Sequence, residues 1–347
     1  MASLRAALSR LPIDLYLLAL SATVGLGLLL PATGAAMHLV NGAAYVVVFG
    51  LFFLYGARLA PQVAWRGLTH WRLQSLVLAS TFILFPVLGL VFSRLVGHLL
   101  APDLVLGLIF LCLLPSTVQS SIAFTSIARG NVPAAICAAS VSNVIGVILT
   151  PLLAAQFLAG HQGLTFGSLG AVAMQILLPF AVGQAARPFL GQFLNRHPVV
   201  TSLFDRGCIL VIVYSAFSAG TAAHIWNMIS AEGLATIAGL ALLLLAMVIA
   251  ATTVISRKLG FSKEDEIAIV FCGSKKSMAS GLPMARILFS GHALGLVVLP
   301  LMIFHPTQLF VCAALAKRYA GRDKGRETAE SGSMAAPLPA APSGEAS

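Results

Sequence analysis

The chain has 347 residues, 59% of them hydrophobic and 9% charged, with a formal net charge of +10. Ordinary globular proteins carry roughly 25% charged residues, so this balance excludes a soluble fold and makes the lipid bilayer the medium in which the chain folds. The basic excess does not point to nucleic acid, because most Lys and Arg residues sit in short joints between apolar runs, where they orient helices.

Arg5 and Arg10 lead into an apolar run from Leu11 to Leu30. That run exceeds the roughly 7–15 apolar residues of a secretory signal, so it reads as a retained helix behind a cytoplasmic N-terminus over 1–10. Runs of about 20 apolar residues, each enough to cross the hydrocarbon core, then follow one another. Bounded by Pro, Gly and charge, they predict ten spans near 13–30, 43–59, 73–93, 103–128, 132–157, 166–187, 203–222, 233–255, 264–289 and 293–316. The expected fold is an all-α polytopic membrane protein. Internal prolines at Pro86, Pro151, Pro179 and Pro300 are tolerable in a membrane where neighbouring helices satisfy the freed backbone groups. From 319 to 347, Ala, Pro, Ser, Gly and charge leave no apolar face, which reads as a disordered cytoplasmic tail. Cys112, Cys137, Cys208, Cys272 and Cys312 all lie in apolar runs without metal-ligand spacing; they read as small buried hydrophobes. No metal, cofactor or catalytic group is expected.

If the N-terminus is cytoplasmic, alternate joints should hold the basic residues. Of the 21 Lys and Arg residues, 17 fall in the predicted inside segments, Arg94 and Arg286 fall outside, and Lys275 and Lys276 lie within a span. This asymmetry places both termini in the cytoplasm, as expected of a bacterial inner-membrane protein, and demands an even number of crossings.

Two spans are interrupted. Pro115-Ser116-Thr117-Val118-Gln119-Ser120-Ser121 breaks the fourth, and Gly273-Ser274-Lys275-Lys276-Ser277 breaks the ninth. Each is the fourth helix of a set of five, which divides the chain into repeats over 11–160 and 161–318. Because five is odd, the second copy inserts upside down, and paired interrupted segments in an inverted repeat point to a transporter's binding site. Where a helix stops inside the membrane, its free N–H and C=O groups survive only beside protein or a polar cavity.

The lysine pair is the sharpest signal. Lys275 and Lys276 lie about 13 Å along the span that begins at Ile267, well inside a core about 30 Å thick. A central lysine costs roughly 2.5–3.5 kcal/mol on insertion scales, so two must meet water or partners. Intramembrane charge is functional by default. One ammonium is expected on Gln119 or on backbone carbonyls of the other break, the second on an anionic solute. The hydroxyls of Ser116, Thr117, Ser120, Ser121, Ser274 and Ser277, with Gln119, complete a candidate substrate and ion site. Asn143 on the fifth span and Gln308 on the tenth join it as cavity-lining candidates, interhelical contact being the alternative role. Asp205 reads as a local ion pair with Arg206 or a cap, and Glu264, Asp265 and Glu266 suit the positive end of a helix.

This layout, with the run Phe271-Cys272-Gly273-Ser274-Lys275-Lys276-Ser277-Met278-Ala279-Ser280-Gly281, resembles the bile acid:sodium symporter superfamily. The Phe-Cys-Gly-Ser-Lys-Lys-Ser stretch and Phe204-Asp205-Arg206-Gly207 are most similar to its SBF-like branch, which includes bacterial symporters and the seventh member of the human solute carrier family ten. The resemblance covers about residues 10 to 318. It implies a panel domain, a core domain in which broken helices cross, and alternating access. It also implies sodium coupling, but the places of the sodium-binding branch's glutamate and Gln-Asn pair align with Phe271, Lys275 and Lys276. Its fifth-helix sodium ligands fall on Ala135 and Ala139. Phenyl, methyl and ammonium groups supply no oxygen to a hard cation.

The leading expectation is a secondary transporter of a small organic anion, without conventional two-sodium coupling. A sodium-coupled symporter of a bile-acid-like or carboxylate solute, and a non-transporting membrane regulator of ion homeostasis, are the alternatives. Proton coupling stays open, as does the oligomeric state.

Overall fold

The computed structural model describes residues 15–58, 70–158, 166–224, 226, 230–289 and 294–334. Among them every regular element is helical and no strand occurs. In chain order these are α1 (Leu15–Leu29), α2 (Gly34–Arg58), α3 (Trp71–Ala79), α4 (Phe85–Val96), α5 (Pro102–Leu113), α6 (Gln119–Ile127) and α7 (Val132–Leu158). They continue with α8 (Phe166–Arg196), α9 (Pro198–Ala222), α10 (Ala231–Lys258), α11 (Lys263–Gly273), α12 (Met278–Leu288) and α13 (Leu294–Met334). Among the described residues, six helices are long and apolar enough to cross a membrane: Gly34–Arg58, Trp71–Leu99, Val132–Leu158, Pro198–Ala222, Ala231–Lys258 and Leu294–Gly321.

Several helices outrun the apolar segments that mark them. α2 begins at Gly34 rather than near 43, because the small residues of 34–43 read as a joint yet contain no helix-ending proline. α8 continues to Arg196, and α9 opens directly at Pro198, the first helical position at which a missing N–H costs nothing. α13 continues to Met334, past the start of the expected tail, because Ala, Lys, Arg and Glu after Tyr319 are good helix formers. Residues 335–347, like 1–14, lie outside the described residues.

Two sets of helices pack among themselves. In the first, α2 lies along α8 and α9 packs on α1 and α2. A Cβ at Gly56 would come 2.0 Å from the Phe180 carbonyl oxygen, and one at Gly183 would come 2.0 Å from that of Phe53. These reciprocal glycines allow the closest approach of two helix backbones, the small-residue device of membrane interfaces. In the second set α13 packs on α5, α10 on α11 and α13, and α7 on α6 and α11. The sets meet where α8 packs on α7, and α9 on α12 and α13.

The two ends of the molecule differ in charge. At one end Arg257 and Lys263 bind Glu266 at 3.0 and 2.6 Å, Asn131 binds Asp265 at 2.8 Å, and Arg58 binds Asp205 at 2.6 Å. Asp205 thus pairs across helices with Arg58 rather than with its neighbour Arg206. At the opposite end Tyr214 donates to the Leu30 carbonyl at 3.0 Å and Thr221 to that of Gly27 at 3.0 Å.

Candidate functional site

The interruptions between α5 and α6 and between α11 and α12 cross each other. Pro115, which lacks an N–H, ends α5, with Leu114 extended at φ −73 and ψ 153. Ser277 starts α12 by accepting from the Ser280 N–H at 3.2 Å. Between the breaks, the Ser277 N–H donates to the Pro115 carbonyl (2.8 Å). Ser116 Oγ donates to the Cys272 carbonyl (2.5 Å) and Ser121 Oγ to that of Phe271 (2.9 Å).

The orphan carbonyls at the end of α5 can be followed one by one. Leu111 accepts from the Leu114 N–H at 3.4 Å, and Leu113 from Thr150 Oγ1 at 2.9 Å. Cys112 and Leu114 both accept from Lys276 Nζ, at 2.8 and 2.7 Å. Asn143 Nδ2 takes the Ser116 carbonyl at 2.7 Å, and Ser142 Oγ accepts the Ser116 N–H at 3.1 Å. On the other break, Ser80 Oγ donates to the Gly273 carbonyl at 2.9 Å. Every helix end inside a bilayer needs such partners.

Lys276 spends its third proton on the Thr81 carbonyl at 2.8 Å, and its Nζ lies 4.2 Å from the centre of the Phe85 ring. Thr81 is available for a local reason. The helix widens to a π turn over Ser80–Leu84, in which the Phe85 N–H reaches back to the Ser80 carbonyl. The next donor in that register is residue 86, a proline without an N–H. Three carbonyls, from α5 and from this π turn, therefore converge on one fully buried ammonium.

Lys275 is held differently. Its Nζ donates to the Ser120 carbonyl at 2.8 Å and lies 4.2 Å from the centre of the Phe124 ring and 5.2 Å from that of Phe271. One carbonyl and two ring faces stabilise this ammonium, the rings through their negative faces. Among the described residues, neither lysine forms a salt bridge.

Most of the expected residues gather here. Thr117 Oγ1 meets Ser120 Oγ at 2.8 Å and Ser121 Oγ at 3.1 Å. Gln308 grips the Lys276 backbone with both ends of its amide: Oε1 accepts the N–H at 2.9 Å and Nε2 donates to the carbonyl at 3.0 Å. Asn143 Oδ1 also accepts from Ser280 Oγ at 3.0 Å, joining α7 to α12. Ser274 is fully buried between the breaks. Gln119 is the exception. It begins α6 with an exposed side chain, and backbone carbonyls hold the lysines instead, because an amide on a helix's outer face cannot turn inward.

Residues outside the expected set also act. Thr81, Ser80, Ser142, Thr150 and the rings of Phe85, Phe124 and Phe271 all satisfy the crossing. Pro86 signals a freed carbonyl one turn upstream, at Phe82 in an α register; the π turn shifts it to Thr81.

The crossing is packed, so of the two surroundings open to its helix ends and lysines, protein and not a polar cavity encloses them: Ser274, Lys275 and Lys276 are each 0% exposed. Carbonyls and rings surround the two ammoniums. A groove of about 480 Å³ lies elsewhere, between α1, α9 and α13, lined by residues such as Val24, Phe217, Leu299 and Ile303. The residues at the expected sodium places offer a cation no side-chain oxygen. Ala135 and Ala139 are buried in an apolar cluster with Ala268, Ile269 and Cys272.

An all-helical chain with membrane-length apolar spans, whose interrupted helices meet around buried charge, has the build of a membrane transporter. The chain belongs to the SBF-like CPA transporter family, whose model matches residues 14–321. It is 49% identical over 311 residues to an uncharacterized protein of Pseudomonas aeruginosa, covering 89% of this chain and 93% of the relative. It is 43% identical over 308 residues to "Putative symporter YfeH" of Escherichia coli, covering 88% and 93%. To "Sodium/bile acid cotransporter 7" of Danio rerio it is 29% identical over 293 residues, covering 81% and 85%. The relatives that carry functional names are named as symporters or cotransporters, not as enzymes.

Proposed function

We propose that this protein is a secondary active transporter of a small organic anion, working by alternating access in a bacterial inner membrane with both termini cytoplasmic. Its ten spans form two inverted repeats of five, over 11–160 and 161–318. Reciprocal packing supports that symmetry, since α2 with α8 and α1 with α9 are equivalent pairs under it. The helices α1, α2, α8 and α9 act as a panel against which the remaining core moves.

The observation that carries the functional reading is the ammonium of Lys276 among the Thr81, Cys112 and Leu114 carbonyls at 2.7–2.8 Å. A tethered cation occupies this place permanently, so the crossing needs no dissolved sodium ion to neutralise the two helix ends. Lys275, with one carbonyl partner, is the ammonium assigned to the solute. Ser116, Thr117, Ser120, Ser121, Ser274 and Ser277 supply hydroxyl contacts around it, and Asn143 and Gln308 fix the adjoining helices. Sodium-coupled uptake is the competing reading, favoured by the name of the zebrafish relative.

Proteoliposomes loaded against a panel of small carboxylates test the assignment. At least one carboxylate should be taken up by the wild type, and Lys275→Ala should abolish that uptake while the protein remains folded. Uptake unchanged by Lys275→Ala would refute the role of this lysine.

A further inference from the structure

Arg286 stands apart from the basic end of the molecule. It lies on α12, eight residues beyond Met278, or about 12 Å of helix from the interruption. It is half-buried, and its partner lies on the other set of helices. Its Nη2 donates to Asn41 Oδ1 of α2 at 2.7 Å, and Ser215 Oγ of α9 donates to the same oxygen at 3.0 Å. Both partners are neutral, and among the described residues no carboxylate pairs with Arg286.

A guanidinium carries five donors in a planar fork, and the contact with Asn41 uses one. Arg286 lies in the last turn of α12, and a half-buried charge at such a helix end is retained where it lines a polar path or meets a ligand. The fork matches the two oxygens of a carboxylate or a phosphate. The position fits a path, because α12 belongs to the core while α2 and α9 belong to the panel, and a solute must pass between them.

We propose that Arg286 is an anion-recognition residue at the end of the cleft remote from the basic face. It receives a carboxylate of the solute through its free donors. In the absence of solute, the Asn41 and Ser215 pair holds the guanidinium across the cleft. The inference rests on the anion-carrier reading above and adds a contact distinct from Lys275.

The test uses the full-length protein in phosphatidylcholine nanodiscs, its unfolding temperature followed against sodium malonate, with sodium chloride at matched ionic strength as reference. Malonate should raise the unfolding temperature saturably. Arg286→Gln should need at least tenfold more malonate for the same rise. Arg286→Lys, which keeps the charge without the fork, should fall between them, and it carries the comparison if the glutamine variant does not fold. Lys275→Ala should weaken the malonate response as well as abolish uptake, because the carrier reading gives both cations to the solute. A response unchanged in Lys275→Ala but lost in the Arg286 variants refutes that reading's lysine alone, so the two failures are separable. An unchanged response in the Arg286 variants, or none in the wild type, overturns the proposal. So does an Arg286-dependent rise with phosphatidylglycerol nanodiscs alone to which malonate adds nothing, since the ligand would then be a lipid headgroup.

Discussion

Replacing Lys276 by methionine keeps an unbranched side chain, one atom shorter, and removes its charge and all three donors. The carbonyls of Thr81, Cys112 and Leu114 then lose the ammonium that they now share. A buried polar group left unsatisfied costs about 1–3 kcal/mol, so three cost roughly 3–9 kcal/mol. Loss of the contact with Phe85 adds to this, up to about 2 kcal/mol for a desolvated cation over a ring. Against a total stability of about 5–15 kcal/mol, the variant is marginal or unfolded. Lys275→Met takes one charged donor from the Ser120 carbonyl, which lies inside α6, and costs about 1.5–3 kcal/mol, the range for a hydrogen bond to a charged group, plus its ring contacts. Thermal unfolding of both variants in nanodiscs measures the difference, with Lys276→Met expected to be the more damaging. Lys276→Ala makes the argument sharper. It leaves room beside the three carbonyls, so sodium or potassium chloride should raise its unfolding temperature above that in choline chloride, while the wild type is indifferent to the cation. A Lys276→Met protein as stable as the wild type, or less affected than Lys275→Met, would refute the reasoning.

Gln308→Leu removes both bonds to the Lys276 backbone and should cost roughly 2–6 kcal/mol, read as a fall in unfolding temperature. Gly56→Val places a side chain where a Cβ already lies 2.0 Å from the Phe180 oxygen; α2 and α8 must separate, and size-exclusion chromatography should show loss of the monodisperse species. At the basic end, Glu266 is 3% exposed and binds Arg257, Lys263 and Tyr319. Glu266→Gln should therefore cost about 1.5–3 kcal/mol, the range for hydrogen bonds to charged groups. Arg257→Ala, whose side chain is 56% exposed, should cost less than about 1 kcal/mol. Equal effects of the two substitutions in thermal unfolding would contradict this order.

The parts of the site legible in the sequence are those that break a local rule. Lysines inside an apolar run, and Pro and Ser clusters in the middle of a span, are costly in a bilayer whatever surrounds them, so they stand out without tertiary information. The partners do not. Thr81 looks like an ordinary residue of the third span, and its carbonyl matters only because the π turn and Pro86 free it and α5 brings Lys276 beside it. Gln119 shows the opposite failure: its chemistry suits a lysine, yet its position on α6 turns it outward. Helix ends were legible where charge marks them, as at Arg58, and blurred where the sequence allows a helix to continue past its apolar run, as at Gly34 and Pro198.

The central claim is that Lys276 stands where a dissolved cation would otherwise be needed. Solid-supported-membrane recordings of carboxylate-evoked currents in wild-type proteoliposomes, with sodium replaced by choline on both sides, test it most directly. Currents that persist in choline at undiminished amplitude are the predicted result; currents that vanish without sodium and return on its addition would contradict it.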